Sequence, residues 1–456
     1  MRRRLTQQTA PVAKLADFGS LAEVSAWLDS HVNLEATAGE VKGLSLEPMA
    51  SLLAALGEPQ RDYPAVHITG TNGKGSVAAM VSALAQRWGF SVGTYTSPHV
   101  MRLNERMQYN AEPISDEDLA ALFAHLRLVE NHLVADGVVE MCSWFELVTA
   151  AALRWFADVA VDIAVVEVGK LGRYDATNVL ASRVGVITNI GRDHTDGQPG
   201  WQQKVMEEKA GILHPNAVAV LGEMTPNLVD IAARQEPAGM LVAGDAFCLE
   251  QDAPAMGGRL IGVRTPRARY EDVYVSLFGE HQGQNAAVAI AAFEALVDQE
   301  LDEAVLEVLG DLAVPARFEV VRRQPLVVID GAHNPNAIAA VAHTLQAEFD
   351  VSGNTVWVMG MMRDKEPAAM LQAIINTGTS CDLLVCCAAD WPRALPATDL
   401  AAVAEEVGLT SVVATSVPEA VECALQVATD TLGAVMITGS LYVAGAARRH
   451  LLGEDR

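Results

Sequence analysis

Apolar positions along the first two-thirds of the chain switch repeatedly between two periods, and each switch marks where a strand gives way to a helix. Ala65-Val66-His67-Ile68 is short, apolar and bounded by Pro64, which reads as a buried parallel strand. Val77, Met80, Val81 and Leu84 then fall at i, i+3, i+4 and i+7, one face of a helix. Ser91 to Thr96, Val161 to Val168 and Val184 to Ile190 have the character of strands. Glu117 to Val134 and Trp144 to Phe156 have that of helices, as does a stretch from about Leu21. Phe247 to Tyr274 is β-rich and reads as peripheral. After the proline-marked joint at Leu312 to Pro315, strand-like runs recur at Leu326 to Ile329, Val356 to Met361, Leu383 to Cys387, Ser411 to Ala414 and Val435 to Thr438. Such alternation predicts an α/β chain whose parallel sheets carry helices on both faces.

At 456 residues the chain exceeds one ordinary core. The expected division is a flexible tail over residues 1–20, a first domain over 21–314 and a second over 315–456. Half the residues are apolar, yet charges interrupt every apolar run before it could span a bilayer. A formal charge of −25 argues against nucleic acid or an anionic membrane as the main partner, since both require a basic face. The six cysteines show no metal-like spacing, and Cys386 and Cys387 are adjacent, so a reducing, cytoplasmic setting is expected. The opening MRRRLTQQTAP is basic but lacks the apolar segment of a secretory signal.

Between the first strand and helix lies Gly70-Thr71-Asn72-Gly73-Lys74-Gly75-Ser76. Glycines let the backbone turn its N–H groups inward, and the helix start adds partial positive charge, so the loop suits phosphate oxygens. Lys74 adds a full charge. This is not the ordinary Walker A pattern: Gly75 follows the lysine where Ser or Thr would stand, and Ile68 precedes it by six.

The string TGTNGKGS, followed by Thr96-Ser97-Pro98-His99 and Glu105-Arg106-Met107, resembles the folate branch of the Mur ligase superfamily, the dihydrofolate and folylpolyglutamate synthases. Further similar strings follow in order: Phe145-Glu146 to Thr149, Glu167 to Asn178, Asp193-His194, Glu208-Lys209-Ala210-Gly211-Ile212, His281 to Ala287, Arg317-Phe318-Glu319, Asp330 to Pro335 and Gly439 to Tyr442. The resemblance implies a P-loop-type parallel-sheet ATP-binding domain plus a smaller Rossmann-like C-terminal domain. It implies an ADP-forming ligase that joins L-glutamate to a folate or pteroate carboxylate, acting as a monomer.

By the same resemblance, Asn72, Gly73, Lys74, Gly75, Ser76, Asn285, Arg317 and Asp330 bind ATP. Ser97, Glu167 and His194 hold magnesium, and Lys209, once carbamylated, holds a second ion. Phe145, Glu146, Arg173, Asp175, Ala176, Thr177, Ile212 and Ser440 line the substrate site, while Lys74, Lys209, His333 and Arg317 serve catalysis. Read without the resemblance, Ser-Pro is a common loop starter, a lone histidine at a strand end is usually structural, and Lys209 is a solvated helix lysine. The chain departs from the family pattern at Pro48, Leu171, Pro199 and Ala316. Leucine adopts φ > 0 only at a cost, so the backbone at Leu171 is expected to run differently. These departures leave open a Mur-like ligase for another acyl substrate, or a nucleotide-binding homologue without ligase activity.

Overall fold

The computed structural model describes residues 18, 20–33, 35, 45–192 and 198–453. Most of the expected tail, together with His194, lies outside the described residues. The first sheet comprises β1 (Ala65–Thr69), β2 (Val92–Tyr95), β3 (Met107–Tyr109), β4 (Glu112–Pro113), β5 (Ile163–Glu167), β6 (Val184–Ile187), β7 (Val218–Leu221) and β8 (Gly239–Val242). Their order is β4-β3-β2-β5-β1-β6-β7-β8, parallel from β2 to β8, with β3 and β4 added antiparallel at one edge. In such a sheet ligands sit beyond the carboxyl ends of the central strands.

Alternate residues of the central strands feed two cores. Val66, Ile68 and Val165 pack with Val77, Met80, Val81 and Leu84 of the helix Lys74–Trp88 and with Ile290 and Phe293 of the helix Glu280–Val297. Ala65, Ala164 and Val166 pack on the opposite face with the helices Asp116–Ala135 and Trp144–Asp158. Both faces are covered, which is why these strands read as continuous apolar runs rather than as alternating ones. Burying each such Val, Ile or Leu contributes about 1.5–3 kcal/mol.

The segment expected to be peripheral is an antiparallel sheet of β9 (Cys248–Ala255), β10 (Gly258–Arg264) and β11 (Arg269–Val275). Phe247, Ile261, Val263 and Val275 are wholly buried in the core that holds the Glu280–Val297 helix. The sheet is therefore structural covering rather than an appendage. The remaining strands form a second large sheet: β12 (Glu319–Arg323), β13 (Leu326–Ile329), β14 (Thr355–Met359), β15 (Leu383–Cys386), β16 (Ser411–Val413) and β17 (Ala434–Thr438). Its order is β12-β13-β17-β14-β15-β16, parallel apart from β12. All six cysteines are free, and each is buried or half-buried. Among the described residues no helix is long and apolar enough to cross a membrane.

Leu171 overturns the expectation that its backbone would be re-routed, because it takes up the left-handed conformation at φ 60°. Neighbouring bonds hold it there: Thr69 Oγ1 donates to the Leu171 carbonyl at 2.5 Å, and the Lys170 amide donates to Asp175 Oδ2 at 2.8 Å. Ala316 likewise stands at φ 54°. A non-glycine residue there costs about 1–2 kcal/mol. Ala316→Gly is accordingly expected to stabilise the chain by about 1 kcal/mol, part of the relief being offset by the freer unfolded chain. A thermal melt unchanged or lowered in that variant would contradict the strain argument.

Candidate functional site

The turn after β1 is built so that side chains from elsewhere grip its backbone. A Cβ on Gly70 (φ 152°) would lie 1.8 Å from Thr188 Oγ1, and one on Gly73 (φ 84°) would lie 2.4 Å from Asn285 Oδ1. The Asn72 amide donates to Asn189 Oδ1 (3.0 Å), and its carbonyl accepts from Thr188 Oγ1 (2.6 Å) and Asn189 Nδ2 (3.0 Å). From the second large sheet, Asn334 Nδ2 donates to Asn72 Oδ1 at 2.8 Å, while Asn334 Oδ1 caps its own helix at Ala337. The loop is thereby fixed from both sides. Lys74 Nζ donates to the carbonyls of Gly70 (3.2 Å) and Thr71 (3.3 Å), and the helix begins at Lys74 with its first amides toward the loop. Ser76 is buried, and its hydroxyl has no partner.

Two charged groups converge on Gly75. A methyl built there would stand 3.6 Å from Arg317 Nη2 and 3.6 Å from Glu167 Oε2. Glu167 ends β5 and is buried. Burial raises its pKa, against the opposing pull of Lys74, the Ser97 amide and Arg317. Its Oε2 accepts from the Ser97 amide at 3.2 Å, and Ser97 Oγ is buried with no partner. A carboxylate bonded to the amide of Ser97, whose own hydroxyl is unpartnered, offers oxygen donors of the kind magnesium prefers. Among the described residues no three His, Cys, Asp or Glu side chains gather as a metal cluster. Lys209 is buried, and its Nζ donates to the Gly70 carbonyl at 2.7 Å.

Arg317 is aimed by a strained turn. Ala316 and Phe318 both have positive φ, the Gly331 amide donates to the Ala316 carbonyl at 2.9 Å, and Arg317 Nη1 donates to the same carbonyl at 3.1 Å. Asp330 completes the turn, Oδ2 accepting from the Phe318 amide and Oδ1 from the Ala332 amide, both at 2.7 Å. Expected as a nucleotide contact, Asp330 is thus engaged with backbone, and burial raises its pKa. His333 Nδ1 lies 2.9 Å from the Gly331 carbonyl; a carbonyl only accepts, so this nitrogen carries the proton.

The expected substrate residues fall along the wall beside β5. The Phe145 ring lies against Gly169, where a Cβ would come within 2.4 Å of it. Glu146 closes a capping box, accepting from the Ser143 amide at 2.7 Å. Arg173 packs against Gly211, and its Nη2 donates to the Glu207 carbonyl at 3.0 Å. Asp175 accepts from the Thr177 amide and hydroxyl on Oδ1 and from the Lys170 amide on Oδ2, with the Gly169 amide as a further donor. With four donors its lone pairs are filled, so in this conformation it ties the loop together rather than facing a ligand. Ala176, Thr177 and Ile212 are buried, and Ser440 caps the helix Leu441–Leu452, accepting from the Tyr442 amide at 3.1 Å.

Sequence reasoning missed a second charged cluster. Arg106, almost wholly buried, donates to both carboxylate oxygens of Glu35 (2.9 and 2.7 Å) and to His99 Nδ1 (3.0 Å), and its guanidinium lies 4.7 Å from the Trp144 ring centre. Burial and Arg106 lower His99 to about 3, so it is neutral and can accept that bond. Arg393 of the second large sheet's domain donates to the Glu35 carbonyl at 2.8 Å. Its sequence signals are the Thr96-Ser97-Pro98-His99 and Glu105-Arg106-Met107 strings, neither of which says that His99 and Arg106 bond to each other or to Glu35.

Comparison with known proteins identifies the family. Residues 146–293 match the Mur ligase middle domain, and residues 316–441 match the Mur ligase glutamate ligase domain. The chain is 36% identical to the dihydrofolate synthase/folylpolyglutamate synthase of Mycobacterium tuberculosis, covering 90% of each chain. It is 33% identical to the protein of that name from Bacillus subtilis, covering 88% of this chain and 94% of the relative. The crystal structure of the Mycobacterium tuberculosis folylpolyglutamate synthase complexed with ADP and AMPPCP superimposes with a TM-score of 0.88 at 34% identity, covering 95% of this chain and 98% of that one. With its glycine-rich loop, buried glutamate and an arginine reaching that loop from the second domain set in this frame, the chain belongs to the folate branch of the Mur ligase superfamily, the dihydrofolate synthase/folylpolyglutamate synthase family.

Proposed function

We propose that the protein joins L-glutamate to a folate-type carboxylate, dihydropteroate or a tetrahydrofolate, at the expense of ATP. The observation that carries this reading is the convergence on Gly75 of Glu167 from one domain and Arg317 from the other. A triphosphate seated on the amides of residues 74–76 would present its terminal group between them. The carboxylate oxygen of the acyl substrate attacks the γ-phosphorus, and the bond to the β-phosphate oxygen breaks, leaving ADP and an acyl phosphate. The glutamate amine then attacks the acyl carbon and loses a proton, and phosphate departs.

Phosphoryl transfer depends on positioning and charge neutralisation rather than on a nucleophilic side chain. Lys74 and Arg317 supply cationic charge, and His333, with its proton fixed on Nδ1, is held by the same turn as Arg317. Ser97, Glu167 and His194 would hold magnesium, which when bound neutralises phosphate charge. Carbamylation of Lys209 would exchange a cation that repels magnesium for an anion that binds a second ion. The left-handed backbone at Leu171 and Ala316 supports the folate reading, since these departures from the family's glycines keep a glycine-like course. We read the protein as a cytoplasmic monomer.

Mass spectrometry after incubation with ATP, magnesium, glutamate and either dihydropteroate or tetrahydrofolate tests the reading. A glutamyl adduct is expected. Glutamate-dependent ADP release with another acyl acceptor but neither pterin would favour a different substrate, and none with any acceptor would favour a non-ligating homologue. Lys209→Ala is expected to abolish product while nucleotide still binds; full activity in that variant would remove the carbamate.

A further inference from the structure

We infer that Gly445 and Arg449, on the last helix of the second domain, are positioning residues for the cation site. They seat the loop that presents Ser97 toward Glu167. The inference rests on the reading that Ser97 and Glu167 hold the metal.

Gly445 lies in the middle of the helix Leu441–Leu452, where glycine costs about 1 kcal/mol relative to alanine. Its φ is not positive, so conformational need does not explain it. Proximity does: a Cβ on Gly445 would lie 2.0 Å from the carbonyl oxygen of Val100, three residues beyond Ser97. The Val100 side chain packs on the core of the second domain, although the residue belongs to the loop after β2. Next in sequence, the Met101 carbonyl accepts from Arg449 Nη2 at 3.1 Å, and Arg448 Nη1 lies 3.7 Å from Met101 Sδ.

The anchored stretch and its link to Ser97 are both bonded. Glu105 accepts from the amides of Val100 (2.7 Å), Met101 (3.0 Å) and Arg102 (2.8 Å), and His99, between Val100 and Ser97, accepts from Arg106 at 3.0 Å. Displacing Val100 therefore moves Ser97, whose amide is bonded to Glu167 and whose hydroxyl has no protein partner. The helix of one domain thus sets the geometry of a metal-facing oxygen in the other. Docking of the domains and cation affinity become one equilibrium.

The test is manganese binding to the full-length protein in the presence of ADP, followed by electron paramagnetic resonance of the free ion. Gly445→Val is expected to weaken manganese binding by at least about tenfold, the scale on which outer-shell changes act. Metal-free ADP binding should stay within about twofold, because no phosphate-loop residue is touched. Gly445→Ala and the exposed Arg449→Ala, which leave folding less disturbed, should show smaller losses in the same direction. Wild-type manganese affinity in these last two variants would overturn the proposal, as would equal loss of metal-free ADP binding. Ser97→Ala and Glu167→Gln run alongside. If they too bind manganese normally, the cation assignment itself fails, and the proposal with it.

Discussion

Arg317→Ala is expected to lower kcat by about a thousandfold or more, the range in which an arginine facing a transferring phosphoryl group operates. Its guanidinium bonds the Ala316 carbonyl in a turn with two non-glycine residues at positive φ, a turn whose backbone Asp330 and Gly331 fix, and it points at Gly75. Lysine should restore little, since a single ammonium cannot reproduce the planar fork that bonds the Ala316 carbonyl with Nη1 and leaves Nη2 toward Gly75. ADP release measured with saturating glutamate and folate decides it. Nucleotide binding, carried mainly by the loop of the first domain, should weaken far less than turnover, so an equal loss of both would indicate disruption of the turn instead. A fall of less than tenfold would remove Arg317 from the phosphoryl-transfer step.

The largest expected effect on stability belongs to Arg259→Met. Arg259 on β10 is almost wholly buried and pairs with Asp252 on β9 and with Glu348, at the end of the helix Pro335–Glu348 in the other domain. The Gly279 amide also donates to Glu348 at 3.0 Å, so the ion cluster ties the first domain to the second. Removing the cation leaves the buried Glu348 carboxyl and the partly buried Asp252 carboxyl uncompensated, at a cost of about 3 kcal/mol.

Burial already pushes Asp252 and Glu348 upward, with Arg259 opposing, and the variant loses that opposition. A carboxyl whose folded pKa stands above its unfolded value favours folding at low pH and loses that contribution as pH rises through the folded value. The deficit of Arg259→Met is therefore expected to be greatest near neutrality and to narrow as pH falls toward the ordinary carboxyl range, about 4. Denaturant unfolding of both proteins across this range checks it. A deficit that widened on acidification would contradict the assignment.

What the sequence made legible follows from what burial does to composition. The strands covered on both faces announced themselves as apolar runs, and β1, β2, β5 and β6 lie within a few residues of their expected bounds. β12 did not, because Glu319-Val320-Val321-Arg322-Arg323 is an edge strand with charged ends and no continuous apolar signal. The phosphate loop was readable from its glycines and the elements flanking it. Its support was not: Asn189 and Asn334 reach Asn72 across 117 and 262 residues, a relation no local pattern carries. Asp175 and Asp330 are legible in their motifs, but the sequence does not show that backbone amides, and for Asp175 the Thr177 hydroxyl, occupy their carboxylates. A sequence marks an acidic residue among glycines; it does not say whether the acid faces a ligand or the chain itself.

The cysteines carry a practical consequence. Burial pushes Cys142, Cys381, Cys386 and Cys387 up to about 12, so at neutral pH these thiols are almost wholly protonated and poor nucleophiles toward maleimides. Cys248 and Cys423 are half-covered. Replacing Cys248 and Cys423 would therefore leave four thiols too poorly ionised to compete with a surface cysteine introduced on each lobe, making single-molecule energy transfer between the lobes feasible.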